Sequence, residues 1–396
     1  MRLSNRLPWA TESASPLLAL REERERRGEP VVSLVSTDPT SAGLELPWGE
    51  VAAALADVES WKRYRPDPHG APAAREALVS FYARWGERVD AERIFVGAST
   101  SELYSWLFQT LGDPGDSVLV PEPGYPLFDE IAALAGVGTA PAPLVPRFSA
   151  KGELLRWAWE PERWSVPPKA RALVVVAPHN PTGAVPSPEE WRRIGEFCAR
   201  RGLCLVVDEV FRLLGPRADE PTCDWDSLGV PVAVLSGLSK WLAAPQLKLA
   251  WMRLYGPEAD LRAWNDALEH AADACLNVGG PAQAALPSLL PLVGRASAAL
   301  AERVARNREI FLEVFSDLAP KVRILSEPSG WYAVLTLDAD EERLTLDLLR
   351  ETGLFVHPGF FYDFDEGALV LALVADSEGL RAGFGLLRGW LEKNYL

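Results

Sequence analysis

Apolar residues fall into two patterns that alternate through the middle of this chain. Runs that are apolar on consecutive positions, at 94–96, 118–120, 173–176, 203–207, 232–235 and 247–254, predict strands covered on both faces. Between them, apolar residues recur at spacings of three and four, as in Leu78, Phe81, Tyr82 and Trp85, or Leu103, Leu107 and Leu111, or Trp191, Ile194 and Cys198. That spacing is the period of a helix with one buried face. Ser187-Pro188-Glu189-Glu190 marks one helix start: a Ser cap, Pro at the first helical position and Glu three residues after the cap. Alternation of strand and helix predicts an α/β fold, a three-layer large domain with a mostly parallel sheet between helices. Ligands of such sheets bind beyond the carboxyl ends of the strands.

The last third changes character. A long helical pattern covers about 298–315, Gly330-Trp331-Tyr332-Ala333-Val334-Leu335 and 368–374 read as strands, and a closing helix covers 378–391. This predicts a smaller α+β domain. The first 46 residues have no self-sufficient core and are expected to join it. The expected division is a large domain at 47–285 and a small domain formed by 1–46 and 286–396.

Composition narrows the function classes. The 396 residues are 48% apolar and 24% charged, as in ordinary globular proteins. A net charge of −15 argues against nucleic acid or an anionic membrane as a partner, since both need a basic footprint. Residues 1–9 lack an apolar signal core and no long apolar run follows, so a cytoplasmic protein is expected. The four cysteines, Cys198, Cys204, Cys223 and Cys275, lack metal-ligand spacing and read as reduced thiols, and four histidines make a His-rich metal site an unlikely design.

Four polar segments sit at the ends of the predicted strands: Gly97-Ala98-Ser99-Thr100-Ser101, Ala177-Pro178-His179-Asn180-Pro181-Thr182-Gly183, Asp208-Glu209 and Ser236-Gly237-Leu238-Ser239-Lys240. Lys240 is one of only seven lysines beside 33 arginines, and it lies among apolar residues. Burial lowers a lysine pKa, leaving a neutral amine able to attack an aldehyde; taken alone, a surface loop lysine is the stronger reading. Asp208 ends an apolar strand and needs a cationic partner, either an Arg or a protonated pyridine nitrogen, unless it caps the next helix. Ser99, Thr100 and Ser101 begin a helix, either as a plain cap or as a phosphate site. Asn180-Pro181-Thr182-Gly183 is by itself a turn.

In order and spacing these segments resemble the fold-type I pyridoxal-phosphate (PLP) enzymes, specifically the class I/II aminotransferases related to aspartate aminotransferase. The landmarks are Tyr64 with Gly70, Ser99-Thr100-Ser101, Tyr125 in Pro123-Gly124-Tyr125-Pro126, Asn180-Pro-Thr-Gly, Asp208, and Ser-Gly-Leu-Ser239-Lys240. The resemblance runs from about residue 30 to the C-terminus. It implies the PLP-dependent transferase fold, pyridoxal 5'-phosphate as a Schiff base on Lys240, and proton transfer by that lysine at the substrate Cα. Asp208 would hold the pyridine nitrogen, Asn180 the phenolic oxygen, and Tyr125 the ring face. Ser99, Thr100, Ser101, Ser239 and Lys248 would hold the phosphate, with Tyr64 reaching it from the other subunit of a homodimer.

Three positions depart from the family pattern. Phe211 stands where a Tyr usually donates to the phenolic oxygen, which predicts a cofactor imine of raised pKa. Lys248 replaces a phosphate-binding Arg, exchanging a fork for a point charge. Near the C-terminus, Val370 lies where an Arg usually forks onto the substrate carboxylate. Atypical carboxylate recognition is therefore expected, with Trp331, Tyr332, His357, Phe360, Phe361 and Tyr362 as an aromatic set for the substrate pocket or for core packing. Transamination between an amino acid or amine and an oxo acid or aldehyde is the leading expectation. A PLP-dependent lyase, decarboxylase or oxidase is the alternative, and a non-catalytic PLP-binding regulator a more distant one.

Overall fold

A computed structural model describes residues 4, 6, 15–215, 220, 222–276 and 278–396. Its strands are β1 (Val32–Ser33), β2 (Ile94–Gly97), β3 (Ser117–Glu122), β4 (Gly138–Phe148), β5 (Leu154–Trp159), β6 (Ala170–Val176), β7 (Cys204–Asp208), β8 (Val232–Gly237), β9 (Ala250–Tyr255), β10 (Val322–Ile324), β11 (Tyr332–Leu337), β12 (Leu354–Phe355), β13 (His357–Pro358) and β14 (Ala368–Ala372). Eight of them form one sheet in the order β2-β9-β8-β7-β6-β3-β4-β5. Neighbours from β8 through β4 are parallel, while β9 runs antiparallel to both β2 and β8, and β5 antiparallel to β4. Every residue of β2, β8 and β9 is buried, which accounts for the consecutive apolar runs in the sequence.

The predicted run at 247–254 enters the sheet only at Ala250. Pro245–Leu247 form a single 3₁₀ turn and Lys248 takes a left-handed backbone, φ 49°. β4 and β5 were not legible from periodicity. β4 carries Pro141, Pro143 and Pro146, residues that argue against a strand because they lack an N–H. The register resolves this: 138–143 pair with β3 and 144–148 with β5, so each half of β4 is bonded along one side.

Helices cover both faces of the large sheet. The capping box at Ser187 and Glu190 forms as read and starts helix Pro188–Arg201. The second sheet, β10-β11-β14-β13, is antiparallel and packs with helices Val293–Phe315, Glu341–Thr352 and Ser377–Asn394. Near the start of the described chain, β1 pairs with β12, and Leu34 and Ala42 are buried in the core of this second unit. Residues 1–3, 5 and 7–14 of the expected N-terminal segment lie outside the described residues. One helical stretch, Gly280–Leu318, is long and apolar enough to cross a bilayer by composition alone. It is a core helix: Leu286, Leu289, Val293, Leu300, Ile310 and Phe311 are all buried. The four cysteines are free thiols, and no group of metal ligands occurs among the described residues.

Candidate active site

Parallel pairing brings the polar segments to one edge. Val176 is in register with Asp208, and Asp208 with Leu235, so β6, β7 and β8 deliver the 177–183 turn, Asp208 and the Lys240 segment side by side. A cavity of about 260 Å³ opens there. Its walls include Ser99, Thr100, Ser101, Tyr125, Asn180, Asp208, Phe211, Ser239, Lys240 and Tyr332, so ten of the residues singled out from the sequence meet in one place. Thr37, Tyr104 and Phe128 are on the wall too.

Lys240 sits on the short helix Leu238–Trp241 that follows β8. Gly237 makes the approach possible, since a Cβ there would lie 3.1 Å from that of Ala250 on β9. The Lys240 ammonium lies 4.2 Å from the centre of the Trp331 ring and 6.0 Å from that of Phe211. Burial pulls its pKa down to about 8, against the opposing fields of Asp208 and Asp38. The lysine is therefore a partly neutral amine near neutral pH.

Asp208 is buried, and burial pushes its carboxyl up to about 6. Two donors hold the charged form: the Val210 N–H at 2.9 Å and the Tyr104 hydroxyl at 3.0 Å. Among the described residues no ion pair involves Asp208. The next residue, Glu209, does belong to a buried ion network. Arg253 donates to Glu209 at 2.6 Å and to Glu87, and Arg212 donates to Glu87 at 2.6 Å. This network anchors the strand end while leaving Asp208 free to face the cavity. Tyr104 was missed in the sequence. The signal was available, since it lies one helical turn past Thr100 on the helix Thr100–Leu111, which packs over the sheet.

The 177–183 turn is held by its own bonds. His179 Nδ1 meets the Thr182 hydroxyl at 2.8 Å, and the Gly183 N–H donates to the His179 carbonyl at 2.8 Å. Burial takes His179 down to about 3, so it stays neutral and serves the turn. Asn180 is thereby aimed into the cavity. On the other side, Ser99 caps helix Thr100–Leu111 by accepting from the Glu102 N–H at 3.1 Å. It thus fulfils the cap reading, while Thr100 and Ser101 of the first turn line the cavity at a helix N-terminus, which carries positive potential.

Tyr64, Lys248, Trp331 and Val370 lie off the cavity wall, as do His357, Phe360, Phe361 and Tyr362 of the aromatic set. Tyr64 is 83% exposed, and Lys248 is exposed at the turn before β9. Trp331 is fully buried behind Lys240 and Phe211. Val370 is fully buried, paired with Val334 across the small sheet, and packed into the apolar core that contains Trp157 and Tyr362. Its neighbour along the sheet, Tyr332, is the residue that reaches the cavity.

The residues present fit pyridoxal phosphate. A buried carboxylate short of a cation suits a pyridine N–H, an amine of lowered pKa suits an aldehyde, and a capped helix N-terminus suits a phosphate. Comparison with known proteins agrees. The family model for aminotransferase class I and II matches residues 30–377. The chain is similar to the glutamate-pyruvate aminotransferase AlaA of Escherichia coli (strain K12), 28% identical over 86% of this chain and 85% of that protein. It is also 28% identical to the arginine--pyruvate transaminase AruH of Pseudomonas aeruginosa, over 90% of this chain and 89% of the other. An alanine aminotransferase from Pyrococcus furiosus superposes with a TM-score of 0.85 at 21% identity, covering 99% of this chain and 100% of that one.

Proposed function

The chain belongs to the class I and II aminotransferases, with pyridoxal phosphate as cofactor, and we propose from that premise that it moves amino groups without an arginine fork on the substrate carboxylate. The observation that carries the proposal is the charge of the cavity wall. Among the described lining residues Lys240 is the sole cation and Asp208 the sole carboxylate. Donors are then amino acids or amines, and acceptors oxo acids or aldehydes. Pyruvate is the first acceptor to try, since it appears in the names of both relatives, AlaA and AruH.

Each residue has a distinct task. Bound pyridoxal phosphate supplies an aldehyde carbon for the incoming amine and a ring that draws electrons from the substrate Cα. Lys240, neutral above about pH 8, takes the proton from Cα and returns it at the neighbouring carbon. Asp208 would keep the proton on the ring nitrogen, and Asn180 would hydrogen-bond the phenolic oxygen. Tyr125 and Phe128, with ring centres 5.9 Å apart in an edge-to-face pair, would cover the ring and exclude water. Thr100, Ser101 and Ser239 would hold the phosphate at the helix end that Ser99 caps, and Lys248, exposed off the cavity wall, would act on it only as a more distant charge. We further propose a cytoplasmic homodimer in which Tyr64, exposed on one subunit, reaches the phosphate of the other. Its large domain would span 47–285, with 1–46 and 286–396 forming the small one.

The test pairs α-amino acids with amines that share their side chains and lack the carboxylate. Each is mixed with the holoenzyme, following loss of the yellow band, gain of the pyridoxamine band and the oxo product. Without a fork, removing the carboxylate changes kcat/KM by less than about tenfold. A charged bidentate contact would be worth about 100-fold. A preference of that size for amino acids, or a complex with an Arg of this chain forked on the carboxylate, refutes the proposal.

A further inference from the structure

Phe211 leaves the phenolic oxygen of the cofactor short of a donor, and the small sheet carries a residue placed to supply one. Tyr332 opens β11, in register with Ala372 of β14, and lines the cavity together with Asn180, Asp208 and Lys240. Its ring centre is 6.4 Å from that of Phe211 and 6.2 Å from that of Tyr362, both in edge-to-face contact.

The loop before Tyr332 is tied down in an unusual way. The Arg308 guanidinium donates to the carbonyls of Glu327 at 3.2 Å, Tyr332 at 3.3 Å, Ser329 at 3.4 Å and Gly330 at 3.1 Å. Among the described residues no carboxylate pairs with it, and burial takes its pKa down to about 10. A buried cation committed to four carbonyls fixes the loop that presents Trp331 and Tyr332.

Burial raises the pKa of the Tyr332 hydroxyl, opposed by the nearby donors of Trp331, Asn180 and Tyr362. Trp331 Nε1 is buried and has no hydrogen-bond partner within the protein. A raised pKa keeps the hydroxyl protonated, so Tyr332 has a proton to give, and it lines the cavity. The other titratable groups around it are Tyr125, Asp208 and Lys240, with His357 behind Tyr362 at 3.1 Å.

We propose that Tyr332 donates its hydroxyl proton to the phenolic oxygen of the cofactor and so fills the place that Phe211 leaves open. The donor then rides on the small sheet, while Asn180, Asp208 and Lys240 sit on the large one. The inference rests on the cofactor assignment and not on the substrate reading, so the two fail separately.

The experiment is a spectrophotometric pH titration of the substrate-free holoenzyme. A donor on the phenolic oxygen weakens its hold on the proton it shares with the nitrogen through which the cofactor is bound. Tyr332→Phe should therefore raise the apparent pKa of the visible band by about one unit or more. Adding Phe211→Tyr to that variant should bring it back. Phe211→Tyr alone should shift the wild-type titration by less than about half a unit, which tests the idea even if Tyr332→Phe fails to fold. The proposal is overturned if Phe211→Tyr alone lowers the pKa by a full unit. It is equally overturned if Tyr332→Phe leaves the titration unchanged and raises only the KM of substrate, the outcome expected of a residue that binds substrate.

Discussion

Replacing Asp208 with Asn should stabilise the cofactor-free protein while weakening its hold on the cofactor. In the unfolded chain this carboxyl titrates near 3.8, and in the fold burial pushes it up to about 6. The folded state therefore binds more protons between those values. The cost of keeping Asp208 ionised is absent below about pH 4, grows as pH rises, and is complete above about pH 6. A shift of about 2.2 units at about 1.36 kcal/mol each makes that cost roughly 3 kcal/mol. Asn keeps both neighbouring bonds, since its oxygen accepts from the Val210 N–H and its amide can donate to the Tyr104 hydroxyl. Thermal denaturation of the apo-proteins at matched concentration, from pH 4 to 8, reads the difference. The variant should melt higher than wild type at pH 8, and the gap should close toward pH 4. With pyridoxal phosphate added the order should reverse, because the ring N–H restores a partner to Asp208 only. A variant less stable than wild type at pH 8, or a gap that ignores pH, would show that Asp208 is not held ionised at a cost.

Three further outcomes follow from the same geometry. Amine-selective labelling of Lys240 in the apo-protein, quantified by peptide mass spectrometry, should rise with an inflection near pH 8, and Asp208→Asn should move the inflection lower by removing a field that favours the charge; an inflection above 10 would refute burial as the cause. Arg253→Leu strips the buried ion network of one of the two cations, Arg253 and Arg212, that pair with Glu87 and Glu209, and should cost about 3–5 kcal/mol in chemical denaturation, partly recovered by Glu87→Gln. Gly183→Ala would put a Cβ 2.5 Å from the Ser329 carbonyl oxygen at φ 78°, pushing the 177–183 turn away from the 327–330 loop. Its melting temperature and its cofactor affinity, measured by titrating the apo-protein, should therefore fall together, and an unchanged melting curve would contradict the close packing.

The polar residues of the cavity were readable because a parallel sheet imposes a rule on them: strands buried on both faces are apolar throughout, so a polar residue at a strand end stands out and all such ends share one edge. Asn180, Asp208, Lys240 and the Ser99 cap stood out in this way, and only the family resemblance of their order and spacing suggested cofactor roles for them. β4 and β5 were not, because pairing along one side only lets prolines into a strand and dilutes its pattern. Nor could periodicity separate Trp331 from Tyr332. Adjacent strand residues point to opposite faces, and only the packing of the small sheet decides that Trp331 lies behind Lys240 while Tyr332 lines the cavity. The chain by itself determined the α/β core, its edge of polar residues and the cofactor they fit, since those depend on local period and order. Tertiary structure alone decided that side chains from distant segments, Thr37 and Tyr332, join the cavity, and that Val370 is buried away from it. Those outcomes depend on how two sheets and a long helix pack against one another, and no local spacing encodes that.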